Sequence, residues 1–274
     1  MFSMSLWKGA LTLPAAAAGS LGSVVLGALQ ELGGITLFFL QGVISIFRYP
    51  FQTDKIAQQT FFIGARSVFL IALVGLFTGM VLGLQGYYSL AKFGSESVLG
   101  GVVALSLIRE LGPVLTAIMI VARAGSAMSA ELGIMRITEQ IDALFTMGVD
   151  PIRSLISPRI AAAVISFPLL TALFDAVGIL GGYLTGVSLL GINSGIFLSQ
   201  MDYLVVLSDA INGFYKAFAF GLLVVTICCY QGFYVHTRKD GHGAKGVSLA
   251  TTSAVVFSSV GILIADYVIT SFLM

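Results

Sequence analysis

Arg109 and Glu110 stand side by side in ALSLIRELGPVLTA, inside a stretch from Val98 to Ala122 that is otherwise apolar enough to lie in a membrane. Ionisable side chains at that depth are expensive, so they face a bundle interior or a water-filled cavity and mark ion or substrate paths. Neither apolar flank could cross a ~30 Å hydrocarbon core alone, which keeps the pair at membrane depth. Consecutive helical residues point about 100° apart, so the two need not pair with each other. One can face a cavity while the other meets a neighbouring helix or subunit. Pro113 cannot donate to the carbonyl of Arg109, and Gly112 loosens the same turn, adding a kink and a free acceptor. The plain reading is a buried structural pair. The functional reading is a polar, water-accessible cavity inside the membrane.

Other chemistry-bearing residues are weaker candidates. Asp175, Lys216 and Asp266 could form an ion or proton relay, but they lie on separate apolar segments, where snorkelling or interhelical pairing is the ordinary fate of single charges. His236 and His242 sit in a basic loop without carboxylate or thiol neighbours at ligand spacing, so no metal is expected. Cys228 and Cys229 are adjacent in an apolar run, which suits neither an ordinary disulfide nor a CxxC metal site. GHGAKGVS lacks the GxxxxGK[ST] spacing of a phosphate loop, so no nucleotide site is expected in this chain. No nucleophile, base and orienting acid assemble, so catalysis has no positive sign.

A second device follows the charged segment. Between Arg136 and Asp150, the residues Ile137, Ile141, Leu144, Phe145 and Gly148 recur at helical spacing, with Glu139, Gln140, Asp142 and Thr146 off that stripe. Gly148 can stop the helix, and Asp150 before Pro151 can cap the next one. Such a short amphipathic helix either bridges two spans or docks a cytoplasmic subunit.

The elements that must position these residues follow from composition. The 274 residues are 57% hydrophobic and 10% charged, far below the roughly 25% charged content of soluble domains. Long apolar windows rather than short alternating ones indicate an all-α, polytopic membrane protein rather than a barrel. The net charge of +1, with scattered basic residues, excludes a nucleic-acid binder. Spans are expected at Ser67 to Ala91, Val98 to Ala122, Ile160 to Ile192, Ala210 to Val235 and Val247 to Met274, with Asn193 to Asp209 read as a loop. Gly75, Gly79 and Gly83, and later Gly178, Gly182 and Gly186, place small residues on one helix face, where backbones can approach closely. Basic residues gather in alternate connections (Arg48, Lys55, Arg66; Arg136, Arg153, Arg159; Arg238, Lys239, Lys245), so five spans starting in the cytoplasm fit, with the C-terminus outside. The segment from Gly9 to Phe47 either spans or lies in the interface as an amphipathic helix. A cleaved signal peptide is not expected, because Pro14 interrupts a short apolar run.

FTGMVLGLQGY, ALSLIRELGPVLTA, ARAGSAMSAELGIMRITEQIDALFTMGVDPIRSLISPR and ATTSAVVFSSVGILIADYV together closely resemble MlaE-type permeases, also called the YrbE family, which belong to ABC transporters that move phospholipids. The likeness runs from about Gln59 to the end. It implies residues 1–58 as an interfacial elbow helix and 59–274 as a permease domain of five spans with a coupling helix near 136–149. It also implies a homodimer, a dimer of cytoplasmic ATPase subunits that bind ATP and Mg, and a periplasmic hexamer of MCE-domain proteins. A STAS-domain subunit accompanies the ATPase in some members. No cofactor is implied in this chain itself. By the same resemblance Glu139, Gln140, Asp142 and Leu144 look like ATPase-coupling residues. The resemblance further implies that Leu82, Gln85, Leu90 and Phe93 line a lipid pocket at the dimer interface, with Arg109 and Glu110 below it. The implied location is the bacterial inner membrane, and the implied role is maintaining outer-membrane lipid asymmetry. The rival classes are a stand-alone secondary transporter and a structural membrane anchor.

Overall fold

A computed structural model describes residues 26–27, 29–49, 52–237 and 243–273. Arg238, Lys239 and His242, part of the basic loop, lie outside the described residues. The chain divides into two units, Met1–Gln41 and Gly42–Met274. The first unit contributes most of helix α1 (Leu29–Ile46), which is apolar and long enough to cross a membrane. The second holds the remaining elements. These are α2 (Thr53–Ile63), α3 (Val68–Ala91), α4 (Glu96–Ile137), α5 (Gln140–Thr146), α6 (Ile152–Leu189), α7 (Ser194–Leu204), α8 (Leu207–Phe233) and α9 (Gly243–Leu273). Among the described residues there is no strand, and six helical stretches are long and apolar enough to span: α1, α2 with α3, α4, α6, α8 and α9. The all-α, polytopic architecture is the one expected.

The two glycine stripes meet each other. α3 crosses α6 so closely that a methyl group at Gly79 would collide with the carbonyl of Gly178, while one at Gly75 would lie 2.9 Å from the Phe174 carbonyl oxygen. One turn on, a methyl at Gly83 would lie 3.2 Å from the Gly182 carbonyl oxygen, so the helices run parallel in register. In lipid, where no hydrophobic drive joins helices, such backbone contact supplies the van der Waals attraction. Gly79→Ala should therefore destabilise the protein by about 1–3 kcal/mol through overpacking. Gly33→Ala, where a methyl meets open space, serves as the control. Thermal unfolding of the two variants in the same detergent checks this, and equal melting temperatures would contradict it.

Further contacts fix the helix directions. Gly213 and Gly232 of α8 abut the carbonyls of Ile108 and Ser129 on α4, so α4 and α8 run parallel. Gly261 of α9 faces Leu223 of α8, and Ser258 faces Cys228, so α9 returns antiparallel. Gly178 and Gly182 of α6 face Leu107 and Val103 of α4, so these two run antiparallel, and the alternating directions through α3, α4, α6, α8 and α9 are those of five consecutive spans.

Two expectations need correction. Asn193 to Asp209 is not a loop, because the Asn193 side chain accepts from the backbone N–H groups of Gly195 and Ile196 and opens α7. α7 lies against Gly100 and Gly101, where a methyl at Gly101 would come within 2.8 Å of the Gln200 carbonyl oxygen. The second span does not end at Ala122 but continues as helix to Ile137, interrupted by π-helical turns at Leu107–Leu111 and Val121–Gly125. Such wide turns within α-helices are frequent at functional sites.

Candidate functional site

The first π-helical turn carries Arg109 and Glu110, and the structure brings two other helices, α8 and α9, to it. Arg109 Nε and Nη2 bind Asp209 Oδ1 of α8 at 2.8 and 2.7 Å. The other carboxylate oxygen of Asp209 accepts the backbone N–H of Val206, anchoring it in the first turn of α8. Glu110 Oε2 receives Lys216 Nζ of α8 at 2.6 Å, and Lys216 Nζ lies 3.0 Å from Asp266 Oδ1 on α9. Thr270, one turn further along α9, approaches Glu110 with its hydroxyl. The two neighbouring charges thus have different partners, as their angular separation allows. The third donor of Lys216 explains the Gly112–Pro113 pair, because it binds the Arg109 carbonyl oxygen at 2.9 Å, the acceptor that proline leaves without a helical partner.

These groups open onto a cavity of about 360 Å³ lined by Arg109, Glu110, Ser208, Asp209, Asn212, Lys216, Thr270 and Leu273. The Lys216 side chain is 3% exposed, whereas that of Arg109 is 42% exposed. The cavity lies near the start of α8 and the end of α9. By the rise of a helix it is about 20 Å from the first residue of α4 and about 42 Å from its last. It therefore sits in the half of the bundle away from α5.

Sequence reasoning singled out Arg109 and Glu110 and left Lys216 and Asp266 to snorkelling or interhelical pairing, of which the structure shows the pairing. It missed Ser208, Asp209, Asn212 and Thr270. Asp209 could have been read as an acid in the first turn of a helix, where the helix dipole favours it. Asp175 does not join this network. It lines a separate cavity of about 260 Å³ with Ile108, Thr171, Gly213 and Phe214, and its Oδ1 has no hydrogen-bond partner among the described residues. Asp175, Lys216 and Asp266 thus do not line up as one relay. Leu82, Gln85, Leu90 and Phe93 also lie away from the charged cavity within one chain. Phe93 is 82% exposed and Gln85 is exposed, while Leu82 and Leu90 are half-buried.

At the opposite end, α4 breaks at Thr138 and Glu139. Glu139 adopts φ 59°, a left-handed conformation that costs a non-glycine residue about 1–2 kcal/mol, and it turns the chain into α5. Gly148 ends α5 with φ 71°: its N–H binds the Phe145 carbonyl and that of Val149 the Leu144 carbonyl, a Schellman stop. Asp150 Oδ1 accepts from the Ile152 N–H at 3.0 Å, the cap expected before Pro151. The five-residue stripe is not one buried face. Ile141 is buried and Leu144 half-buried, but Phe145 and Met147 are 57% and 67% exposed. The reason is length: a seven-residue helix has only one turn facing the bundle. Glu139, Gln140 and Asp142 are exposed beside these apolar tips.

Asp142 Oδ1 holds Arg136 Nη1 at 2.7 Å, and Arg136 Nε donates to His236 Nδ1 at 2.9 Å, so α5 is tied to the ends of both α4 and α8. Partial desolvation lowers the His236 pKa from 6.5, and the Arg136 charge lowers it further, while Asp142 and the Phe233 backbone pull the other way. A folded-state pKa below the unfolded value means the unfolded chain binds more protons as pH falls through 6.5. This contribution to stability is therefore present above 6.5 and is lost on acidification. The melting temperature of the wild type should fall more between pH 7.5 and 5.5 than that of His236→Gln, the range bracketing the usual histidine pKa of about 6.5. Parallel falls would remove His236 from this role.

The family model described as Permease MlaE matches residues 56–272. A probable ABC transporter permease protein of Rickettsia felis is 44% identical over 92% of this chain and 96% of its own length. The intermembrane phospholipid transport system permease protein MlaE of Haemophilus influenzae is 42% identical over 92% of this chain and 95% of its own. The chloroplastic protein TRIGALACTOSYLDIACYLGLYCEROL 1 of Arabidopsis thaliana is 37% identical over 85% of this chain and 65% of its own. A family match across most of the membrane bundle, with relatives this similar over nearly their whole length, places the chain in the MlaE permease family.

Proposed function

We propose that the chain is the permease subunit of an ATP-driven transporter that moves phospholipids between the bacterial inner membrane and a periplasmic MCE-domain hexamer, maintaining outer-membrane lipid asymmetry. The observation that carries this reading is the single continuous helix α4, which has a charged cavity near its outer end and an exposed apolar and acidic helix, α5, directly after its inner end. The printed name of the Haemophilus influenzae relative supports phospholipid as the cargo.

In this reading a cytoplasmic ATPase dimer, which binds ATP and Mg, receives α5 through Glu139, Gln140, Asp142 and Leu144. A STAS-domain protein accompanies it in some systems. The permease works as a homodimer, with the N-terminus cytoplasmic and the C-terminus periplasmic. The second copy supplies what one chain lacks: it closes Leu82, Gln85, Leu90 and Phe93 into an acyl-chain pocket above Arg109 and Glu110. ATP binding moves α5, α4 transmits the movement as a rigid rod, and the charged cavity changes shape around the headgroup. Lipid moves because the two conformations hold it with different affinity.

Mass spectrometry of lipids extracted from the purified protein tests the binding half of the proposal. Phospholipid should co-purify with the wild type and drop with Arg109→Ala. Wild-type protein that carries no phospholipid would contradict it.

A further inference from the structure

We propose that the outer cavity recognises a headgroup carrying both a phosphodiester and an ammonium, in preference to a purely anionic one. This rests on the phospholipid reading and names the lipid class.

The charges around the cavity do not balance. Three carboxylates, Glu110, Asp209 and Asp266, face two cations, Arg109 and Lys216. Asp209 is matched by Arg109 through two nitrogens. Lys216 alone serves both Glu110 and Asp266, so one negative charge remains at that end. An unmatched carboxylate at membrane depth is costly, and a cationic partner relieves it. Glu110 lines the cavity, and apart from Lys216 its contacts are the Thr270 hydroxyl at 3.4 and 3.5 Å. A ligand ammonium has an open carboxylate there.

The other end suits a phosphodiester. The Lys216 ammonium donates to Glu110 and the Arg109 carbonyl and lies 3.0 Å from the Asp266 carboxylate, so its own partners surround it and its side chain is 3% exposed. Arg109 uses Nε and Nη2 on Asp209, so Nη1 remains for an anion, and its side chain is the more exposed of the two cations. Ser208 and Asn212, one turn apart on α8, line the same wall, and their side chains hydrogen-bond to no described residue. Guanidinium, hydroxyl and amide together fit phosphate oxygens. An anionic headgroup meets the same donors but adds nothing at the Glu110 end.

The test uses the purified full-length protein incubated with vesicles of equal phosphatidylethanolamine and phosphatidylglycerol, followed by extraction and quantitation of bound lipid. The wild type should enrich phosphatidylethanolamine by about fivefold, the ratio that 1 kcal/mol gives. Asp266→Asn leaves Lys216 to Glu110 alone and should bring the ratio to that of the vesicles. Asp266→Glu keeps the charge and should keep the enrichment, so a mere folding defect at this position is distinguishable. Bound lipid without preference in the wild type, as a proton on the surplus acid would produce, overturns the headgroup inference and leaves the permease reading standing. Enrichment of phosphatidylglycerol does the same. A wild type that binds neither lipid overturns both.

Discussion

Lys216→Met should abolish lipid transport and lower stability by about 3–5 kcal/mol, the cost of stripping one partner from a buried charge pair. The side chain is 3% exposed, and its ammonium joins α4 and α9 to α8 through Glu110, Asp266 and the Arg109 carbonyl. Methionine fills the volume but leaves two carboxylates without a cation. Removing all three charges together, as Lys216→Met with Glu110→Gln and Asp266→Asn, should recover much of the stability, because a buried ionic network can often be replaced by neutral residues at little cost. Transport should stay lost. Thermal unfolding and a lipid-transfer assay on both variants separate the roles: a triple variant that transports normally would mean that the network serves only to hold the helices together.

The second large effect belongs at the α5 end, which the proposed function makes cytoplasmic. Phe145→Asp should weaken association with the ATPase by about 30-fold or more, since a central aromatic anchor is worth about 2 kcal/mol or more at an interface. Phe145 is 57% exposed beside Met147 and Val149, while Ile141 on the same helix is buried and holds α5 to the bundle. The substitution therefore touches the face proposed to dock the ATPase and not the packing. Reversing the charge at Glu139 should weaken association by a smaller factor. Asp142→Lys carries an added consequence, because it also ejects Arg136 from its 2.7 Å ion pair. Co-purification stoichiometry measures all three, and unchanged ATPase content in Phe145→Asp would move the docking site off α5.

Much of this arrangement is legible in the residues, for local reasons. Gly75, Gly79 and Gly83 announce a close approach because four-residue spacing puts them on one face, and Gly178 and Gly182 are indeed what they meet. Pro113 announces a carbonyl in need of a donor, which Lys216 supplies. Gly148 and Asp150 announce a stop and a cap, and both hydrogen-bond accordingly. What periodicity cannot carry is which helices become neighbours. Asp209 and Lys216 lie about a hundred residues from Arg109 and Glu110, and no spacing rule within one helix links them. α7 was hidden for a different reason: its residues read as an acidic connection, although Asn193 carried the cap signal. Phe145 lies on an apolar stripe in the sequence, and helical spacing assigns that face without saying whether anything in the same chain covers it.

In the proposed function this chain moves phospholipid only when a separate ATPase drives it. Direction-resolved lipid transfer from vesicles containing the purified chain, with and without its ATPase partner, measures that directly. The permease reading predicts transfer that requires both partner and ATP and is insensitive to ion gradients. Gradient-driven transfer by the chain alone would contradict it.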